Sequence, residues 1–409
     1  MFRTLNEITS NGFCMGCGLC TGLVPDVGMD ETEDGMMIAV AKRALTGAEH
    51  SLITRLCPGV SLTAPVRDSD DPVWGTPLRV AEGWSGDPDE RFRASAGGVM
   101  TAINRYLLES GRADFILQVR AGGKDAMSSE PVFIRDPADL LDGSQSRYAP
   151  CAPLTALHAA LDTGERFAVS LKPCDIAGVE NLRREDSRVS RQVVFTQAMF
   201  CGTVPSRDSS NELFRRRGID PDTDTPLSFR WRGNGCPGPT VAEMPDGRTV
   251  TATYNELWND NPWTTSFRCK ICPDAVGLHT DLATGDFWEN AEPLGESPGE
   301  NGIIAHTPLA REILQACEAE GRLVLRDIPI DDLNKTQPHH QRLRQSWAAR
   351  VAGANVAGAP MPDFRNLSAA VGQVSTDAQA ATFQGALERA RKAAITGCQP
   401  FDDWGSGGT

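Results

Sequence analysis

Cysteines carry the plainest chemistry in this sequence. Cys14, Cys17 and Cys20 form a C-x2-C-x2-C run, and Cys57 follows in a Cys-Pro pair. The cluster-binding run C-x2-C-x2-C-x3-C-P uses three thiolates for one four-iron centre and the fourth for another. Here the fourth place is Val24, followed by the expected Pro25. Three contiguous thiolates plus the remote Cys57-Pro58 therefore predict one [4Fe-4S] centre, and with it electron transfer. Tetrahedral zinc is the rival, although a three-cysteine run differs from the paired C-x2-C knuckles of zinc ribbons.

A second set is dispersed. Cys174 in LKPCDIAGV and Cys201 in MFCGTVP each follow a strand-like apolar segment. Both thiols would emerge at carboxyl ends of strands, where open α/β sheets bind ligands. Cys269 and Cys272 add a C-x2-C pair in FRCKICPD. These four could hold a second [4Fe-4S] cluster, with zinc or unconnected buried thiols as alternatives and Cys236 in GNGCPGP as a substitute ligand. Cys317 shares an apolar helix side with Leu309 and Ile313 and reads as core. Cys151 and Cys398 have no partner at a useful spacing. Short cysteine spacings in a reducing compartment point to metal or redox chemistry rather than disulfides.

Ser95, Ala96, Gly97 and Gly98 precede a helix expected from Val99. Small residues before a helix N-terminus let phosphate oxygens approach free amides and gain from the dipole. A Ser-capped helix with packing glycines is the alternative. The GxGxxG spacing of a nicotinamide fingerprint is missing here, and none follows a strand elsewhere, so FAD is favoured over bound NAD. Ser144, Ser146, Arg147 and Tyr148 in DGSQSRYAP could touch a phosphate or an isoalloxazine ring, or form a solvated loop. Lys172 beside Cys174 could hold an anionic flavin or favour a thiolate, a surface lysine being the simpler account. The GDFW segment, Gly285 to Trp288, would close the cluster pocket or supply a core tryptophan. The six histidines show no metal-ligand spacing, and no catalytic residue can be named.

These residues need a scaffold. A chain of 409 residues should form two or three domains, because single cores stop growing near ~250–300 residues. A composition 40% apolar and 23% charged is globular. The net charge of -14 argues against nucleic acid, which needs a basic footprint. No window approaches the ~18 apolar residues of a membrane span, and no signal-peptide core opens the chain, so the cytoplasm is the default. Residues 1–75 read as a small cluster module held by metal and closed by the Pro-rich, acidic stretch Pro65 to Pro77. Residues 76–165 and 166–334 alternate helices with strands, which favours an α/β sheet. Helices are expected at Val99 to Ser110, at Leu154 to Leu161, and after Thr307 with Pro308 at its first position. Strands are expected at Phe115–Val119, Phe167–Leu171, Val193–Phe200, Gly302–Ala305 and Arg322–Arg326. Residues 226–300 read as loops with short antiparallel strands. Residues 335–404 read as a helical tail divided by Gly353 to Pro362, and 405–409 as a linker or tag remnant.

In order, CMGCGLC, LCP, RASAGGV, SRYAPC, KPCDIAGV, FCGTVPS, FRCKICPD and TGDFW run from Cys14 to Trp288, within a match from about residue 10 to 330. That series resembles the coenzyme F420 hydrogenase/dehydrogenase beta-subunit family. The resemblance implies an α/β (α+β) protein with an N-terminal ferredoxin-like cluster module, a mixed-sheet flavin domain and a helical C-terminal region. It implies FAD with two [4Fe-4S] clusters, Cys174, Cys201, Cys269 and Cys272 holding the one nearest the flavin. Ser95, Gly97 and Gly98 would lie at the pyrophosphate and Ser146-Arg147-Tyr148 beside the flavin. A ferredoxin-like donor and a small organic acceptor are the implied partners. The alternative is a beta subunit of a larger hydrogenase/dehydrogenase-type complex, reactive with a deazaflavin or NAD(P), in which a partner subunit or a homo-oligomer is expected. The family often carries tryptophan near the position of Cys236, and the second full ferredoxin motif common in relatives is missing here.

Overall fold

Apolar strands buried almost continuously build the centre of the molecule, for which a computed structural model describes residues 1–63, 71–365, 375–396 and 398–401. The first part of the expected linker and residues 405–409 lie outside the described residues. Eight strands form one sheet: β1 (Arg79–Ser85), β2 (Phe115–Ala121), β3 (Ser129–Ile134), β4 (Phe167–Ser170), β5 (Val193–Met199), β6 (Leu282–Asp286), β7 (Asn301–Ala305) and β8 (Leu323–Asp327). Their order is β8-β1-β7-β6-β5-β4-β2-β3. The central run β6-β5-β4-β2 is parallel and the flanking pairs are antiparallel. The sheet takes strands from both sides of residue 165.

Alternate residues on these strands feed two cores, as a sheet covered on both faces requires. On one face Ile116, Ala168, Phe195 and Ile303 pack against helices α1 (Val99–Glu109) and α3 (Pro308–Ala319), burying Ile103, Leu107, Ile313 and Cys317. Thr307 caps α3 by accepting from the Ala310 amide, and Pro308 sits at the first position, as expected. On the other face Leu117, Phe167 and Val169 meet Ile176 and Val179 of helix α2 (Pro173–Arg183), together with Leu154, Leu157 and Leu161. Cys17, Leu19 and Leu56 join this second core.

The N-terminal segment has a hairpin, Val27–Glu31 with Met37–Ala41, and helices at Leu19–Leu23 and Gly47–Leu56. A capping box between Thr46 and Glu49 starts the latter. Its own apolar residues, among them Leu5, Ile8, Phe13 and Ile53, do not close a core alone. Phe267, Ile271, Ala354 and Ala390 complete it. Strand Ser61–Thr63 also pairs in parallel with Asp363–Arg365. A module expected to rely on metal alone thus borrows apolar surface from distant segments.

The 226–300 stretch holds the expected short antiparallel sheet, Ser228–Arg230, Thr240–Glu243 and Thr249–Ala252. Leu282–Asp286, from the same stretch, instead enters the main sheet beside β5. The C-terminal region is not helical throughout. Strands Asp363–Arg365 and Cys398–Phe401 interrupt it, because each finds an edge to pair with. Helix Trp347–Val356 runs through Gly353, whose packing against Phe383 and Leu387 leaves no space for a side chain. Among the described residues no helix is long and apolar enough to cross a membrane.

Candidate functional site

The N-terminal thiols are placed by tight turns. Gly16 and Gly18 have φ of +68° and +83°, and a Cβ at Gly18 would lie 2.6 Å from Thr155 Cγ2. The left-handed conformation and the close approach both require glycine. The Cys17 carbonyl accepts from the Leu154 amide at 2.9 Å. Cys20 lies on helix Leu19–Leu23, and Cys57 caps the end of Gly47–Leu56. Cys14, Cys17, Cys20 and Cys57 border one small, partly open cavity walled by Ile8, Leu19, Ile53 and Pro58. Burial disfavours the charged form, so it pushes Cys14 and Cys20 up and Cys57 to about 12. Burial, then Cys57 and Asp175, raise Cys17. Among the described residues no three metal-ligating side chains close on a single ion. The thiols line the walls of a shared space instead.

The second set gathers at the carboxyl ends of two central strands, β4 and β5. Cys174 is the second residue of α2, reached from β4 through Lys172. Cys201 follows β5, its amide donating to the Ala275 carbonyl at 2.8 Å. Cys269 lies in the short helix Phe267–Lys270, and Cys272 follows it. Burial raises Cys174 and Cys201, and the thiols add to this as electrostatic neighbours, Cys201 and Cys269 at Cys174 and Cys269 and Cys272 at Cys201. Cys269 differs from the rest. Against burial, hydrogen bonds from Ser266 and Thr265, the Val204 amide and the Arg268 charge hold it below the ordinary thiol value. The Ser266 hydroxyl donates to Cys269 Sγ at 3.4 Å.

The two sets adjoin. Helix α2, which carries Cys174, packs so closely at Gly178 that a Cβ there would lie 3.3 Å from Pro58 Cγ and 2.8 Å from Leu154 Cδ1. Asp175 raises both Cys17 and Cys174. Lys172 Nζ reaches Asp175 Oδ2 at 2.6 Å, and against burial this carboxylate holds the ammonium well above its ordinary value. Cys151, isolated in sequence, is buried near Lys172 and Asp175.

The expected flavin segments also meet. The Ser146 amide donates to Ser95 Oγ at 2.6 Å. Gly98, with φ of +79°, precedes α1 without a side-chain cap, and the Val99 amide donates to Asn301 Oδ1 at 3.3 Å. A Cβ at Gly97 would meet Asn301 Oδ1 at 2.7 Å and the Gly83 carbonyl at 2.8 Å, so this glycine and its neighbour Ala96 lie tight against β1 and β7. Arg147 is engaged by the protein: its guanidinium donates to Ser129 Oγ and the Ser128 carbonyl, both at 2.7 Å, and lies over Trp231. Burial lowers it to about 10. Tyr148 Oη accepts from Arg232 Nη1 at 3.4 Å, its ring edge-on to Trp258.

Arg232 was not legible as a site residue. It is buried, ion-paired with Asp286 at 2.9 Å, and donates to the Ser95 carbonyl at 2.6 Å and the Pro237 carbonyl at 2.9 Å. Tyr254 and Trp288 flank it. The GDFW segment is divided: Asp286 and Trp288 lie with Arg232, while Gly285 packs against Phe200, the neighbour of Cys201. Cys236 lies with this group too, 4.0 Å from Arg232 Nη2, and its electrostatic neighbours are Asp286, Arg232 and Glu296 rather than the second thiol set. Arg268, beside Cys269, was also missed. Its proximity to both sets arises from the fold and leaves no spacing signal.

Comparison with known proteins matches residues 80–158 to the N-terminal region, and 164–331 to the C-terminal region, of the coenzyme F420 hydrogenase/dehydrogenase beta subunit. The chain is 27% identical over 344 residues to coenzyme F420-dependent sulfite reductase of Methanocaldococcus jannaschii, covering 79% of this chain and 49% of that protein. It is 23% identical over 254 residues to the beta subunit of F420-dependent formate dehydrogenase 1 of Methanococcus maripaludis, covering 61% of this chain and 59% of that one. The chain thus spans about half to three-fifths of the length of these relatives. A chain from a structure of the F420-reducing [NiFe] hydrogenase complex of Methanosarcina barkeri shares the fold, with a TM-score of 0.50 at 20% identity, over 67% of this chain and 95% of that one.

Proposed function

We propose, for a chain that belongs to the coenzyme F420 hydrogenase/dehydrogenase beta-subunit family, the role of an iron-sulfur flavoprotein oxidoreductase. It would take electrons from a ferredoxin-like donor and pass them to a small organic acceptor. The observation that carries this reading is the gathering of Cys14, Cys17, Cys20 and Cys57, and of Cys174, Cys201, Cys269 and Cys272, into two adjoining sets. Thiolates alone, around a walled space, suit [4Fe-4S] centres. Ser95, Ala96, Gly97 and Gly98 at the start of α1, with Ser146, Arg147 and Tyr148, would hold FAD. When bound, these groups supply one-electron transfer and a flavin able to exchange two electrons with an organic molecule.

The chain's own residues divide the remaining work. Ser95 and Ser146 join the two flavin segments, and Arg147 fixes the second by tying it to Ser128 and Ser129. Lys172 and Asp175 form a neutral pair beside Cys174. Ile8, Leu19 and Ile53 keep water from the N-terminal set. The ferredoxin-like module, flavin region and C-terminal region, divided near residues 75, 165 and 334, are the corresponding parts of this reading.

A second reading is supported by the chain's partial span of its relatives, one of them named a beta subunit. The protein would then be the electron-transfer subunit of a larger complex, reactive with a deazaflavin or NAD(P). Anaerobic purification with iron, sulfide and flavin counts tests the first part of both readings: about eight irons and one FAD per chain are expected. Colourless, iron-free protein would end them. Turnover of the isolated chain with reduced ferredoxin, against turnover only with partner chains, separates the two.

A further inference from the structure

Arg268 is the unusual charge in this molecule. Its residue is 1% exposed, yet among the described residues it makes no ion pair. Nε donates to the Gly59 carbonyl at 2.9 Å and Nη2 to the Pro58 carbonyl at 3.2 Å, so the side chain grips the turn directly after Cys57. Its backbone amide donates to the Gly12 carbonyl at 2.9 Å, two residues before Cys14. Phe364 covers the guanidinium, with the ring centroid at 4.8 Å. The buried Nη1 has no protein partner in hydrogen-bond geometry. Arg268 also adjoins Cys269 in sequence and is an electrostatic neighbour of Cys57, Cys269 and Cys272.

A guanidinium stays charged in a protein, and burying it without an opposite charge costs several kcal/mol or more. Two carbonyls supply only partial compensation. The missing negative charge lies where the thiols do, on both sides of Arg268. Lys172 provides the contrast, since a carboxylate at 2.6 Å neutralises it locally.

We infer that Arg268 is a positioning residue shared by the two thiolate sets, a fixed positive charge that raises the reduction potentials of both centres together. This inference rests on the cluster reading above. Each one-electron reduction adds one negative charge to a centre, and a buried cation attracts that charge more strongly than the same cation would across water.

The test uses the full chain loaded anaerobically with iron and sulfide, as wild type, R268Q and R268K. Iron is counted, and each is titrated with dithionite under EPR. R268Q should keep about eight irons while both midpoint potentials fall, each reduction equilibrium shifting at least tenfold, or about 59 mV for one electron. R268K, which keeps the charge, should stay near wild type. Movement of only one potential, of neither, or of R268K as far as R268Q would overturn the inference. Loss of iron from R268Q would also overturn it, by making Arg268 a strut for the Cys57 turn. A wild-type chain that binds no iron would instead remove the cluster reading itself.

Discussion

Three thiols of the N-terminal set come from one turn-rich run, whereas the second set draws Cys174, Cys201, Cys269 and Cys272 from segments far apart in sequence. The first is positioned by local backbone, with glycines at positive φ and a helix end. The second is positioned by the register of β4 and β5 and by a short helix docked on the N-terminal core. Their surroundings differ accordingly. Apolar walls leave burial dominant at Cys14, Cys20 and Cys57, while Ser266, Thr265 and Arg268 pull Cys269 the other way. Burial dominates at Cys174, Cys201 and Cys272 as well, so it is Cys269 alone, with its polar neighbours, that sets the second group apart.

The strongest way to break this contrast is to remove one thiol from each set. C17S and C174S should each lower iron from about eight to about four per chain, each abolishing one EPR signal and sparing the other. Loss of all iron from either variant would show that the two sets assemble as one unit. A smaller effect is expected at the end of β6. Arg232→Met leaves Asp286 and two buried carbonyls without their donor, costing about 3 kcal/mol in urea unfolding, at the low end for a broken buried pair because Asp286 is partly exposed. The N-terminal irons should survive that change. An undisturbed urea midpoint would mean that the pair is dispensable there.

The smallest effect concerns how the N-terminal hairpin docks. The Arg207 amide donates to the Gly35 carbonyl at the hairpin turn, and its guanidinium pairs with Asp125 at 2.7 Å in the β2–β3 loop. Burial acts against ionisation of Asp125, but Arg207 and local hydrogen bonds hold it below the usual carboxylate value. A depressed folded value contributes stability above the unfolded value and loses it as pH falls through the folded one. D125N should therefore melt below wild type at pH 7; the gap should begin to close as pH falls past about 4 and vanish only below the folded value. A gap that persists in acid would assign the effect to hydrogen bonding rather than to the ion pair.

Much of the scaffold could be read from the chain, because its helices and central strands obey their periods and caps. Thr307-Pro308 started its helix where expected, and Phe115, Phe167 and Val193 opened strands. The two thiol sets were legible for different reasons, one by spacing and one by position after apolar segments. What could not be read depends on long-range pairing. Leu282–Asp286 resembles its loop-rich neighbours until β5 offers an edge, and no local signal places Trp288 against Arg232. Arg147 and Lys172 looked available because sequence does not show Ser129 or Asp175 facing them.

The shared N-terminal core also fixes an order of events during synthesis. The thiols of the first set leave the ribosome early, but Phe267 and Ile271 follow some two hundred residues later, and Ala354, Ala390 and the strand partner of Ser61–Thr63 near the end. Until then the ligands are present without their enclosure. Under the cluster reading, metal would be enclosed there only after those later segments have joined, and before that solvent and oxidants could reach the thiols.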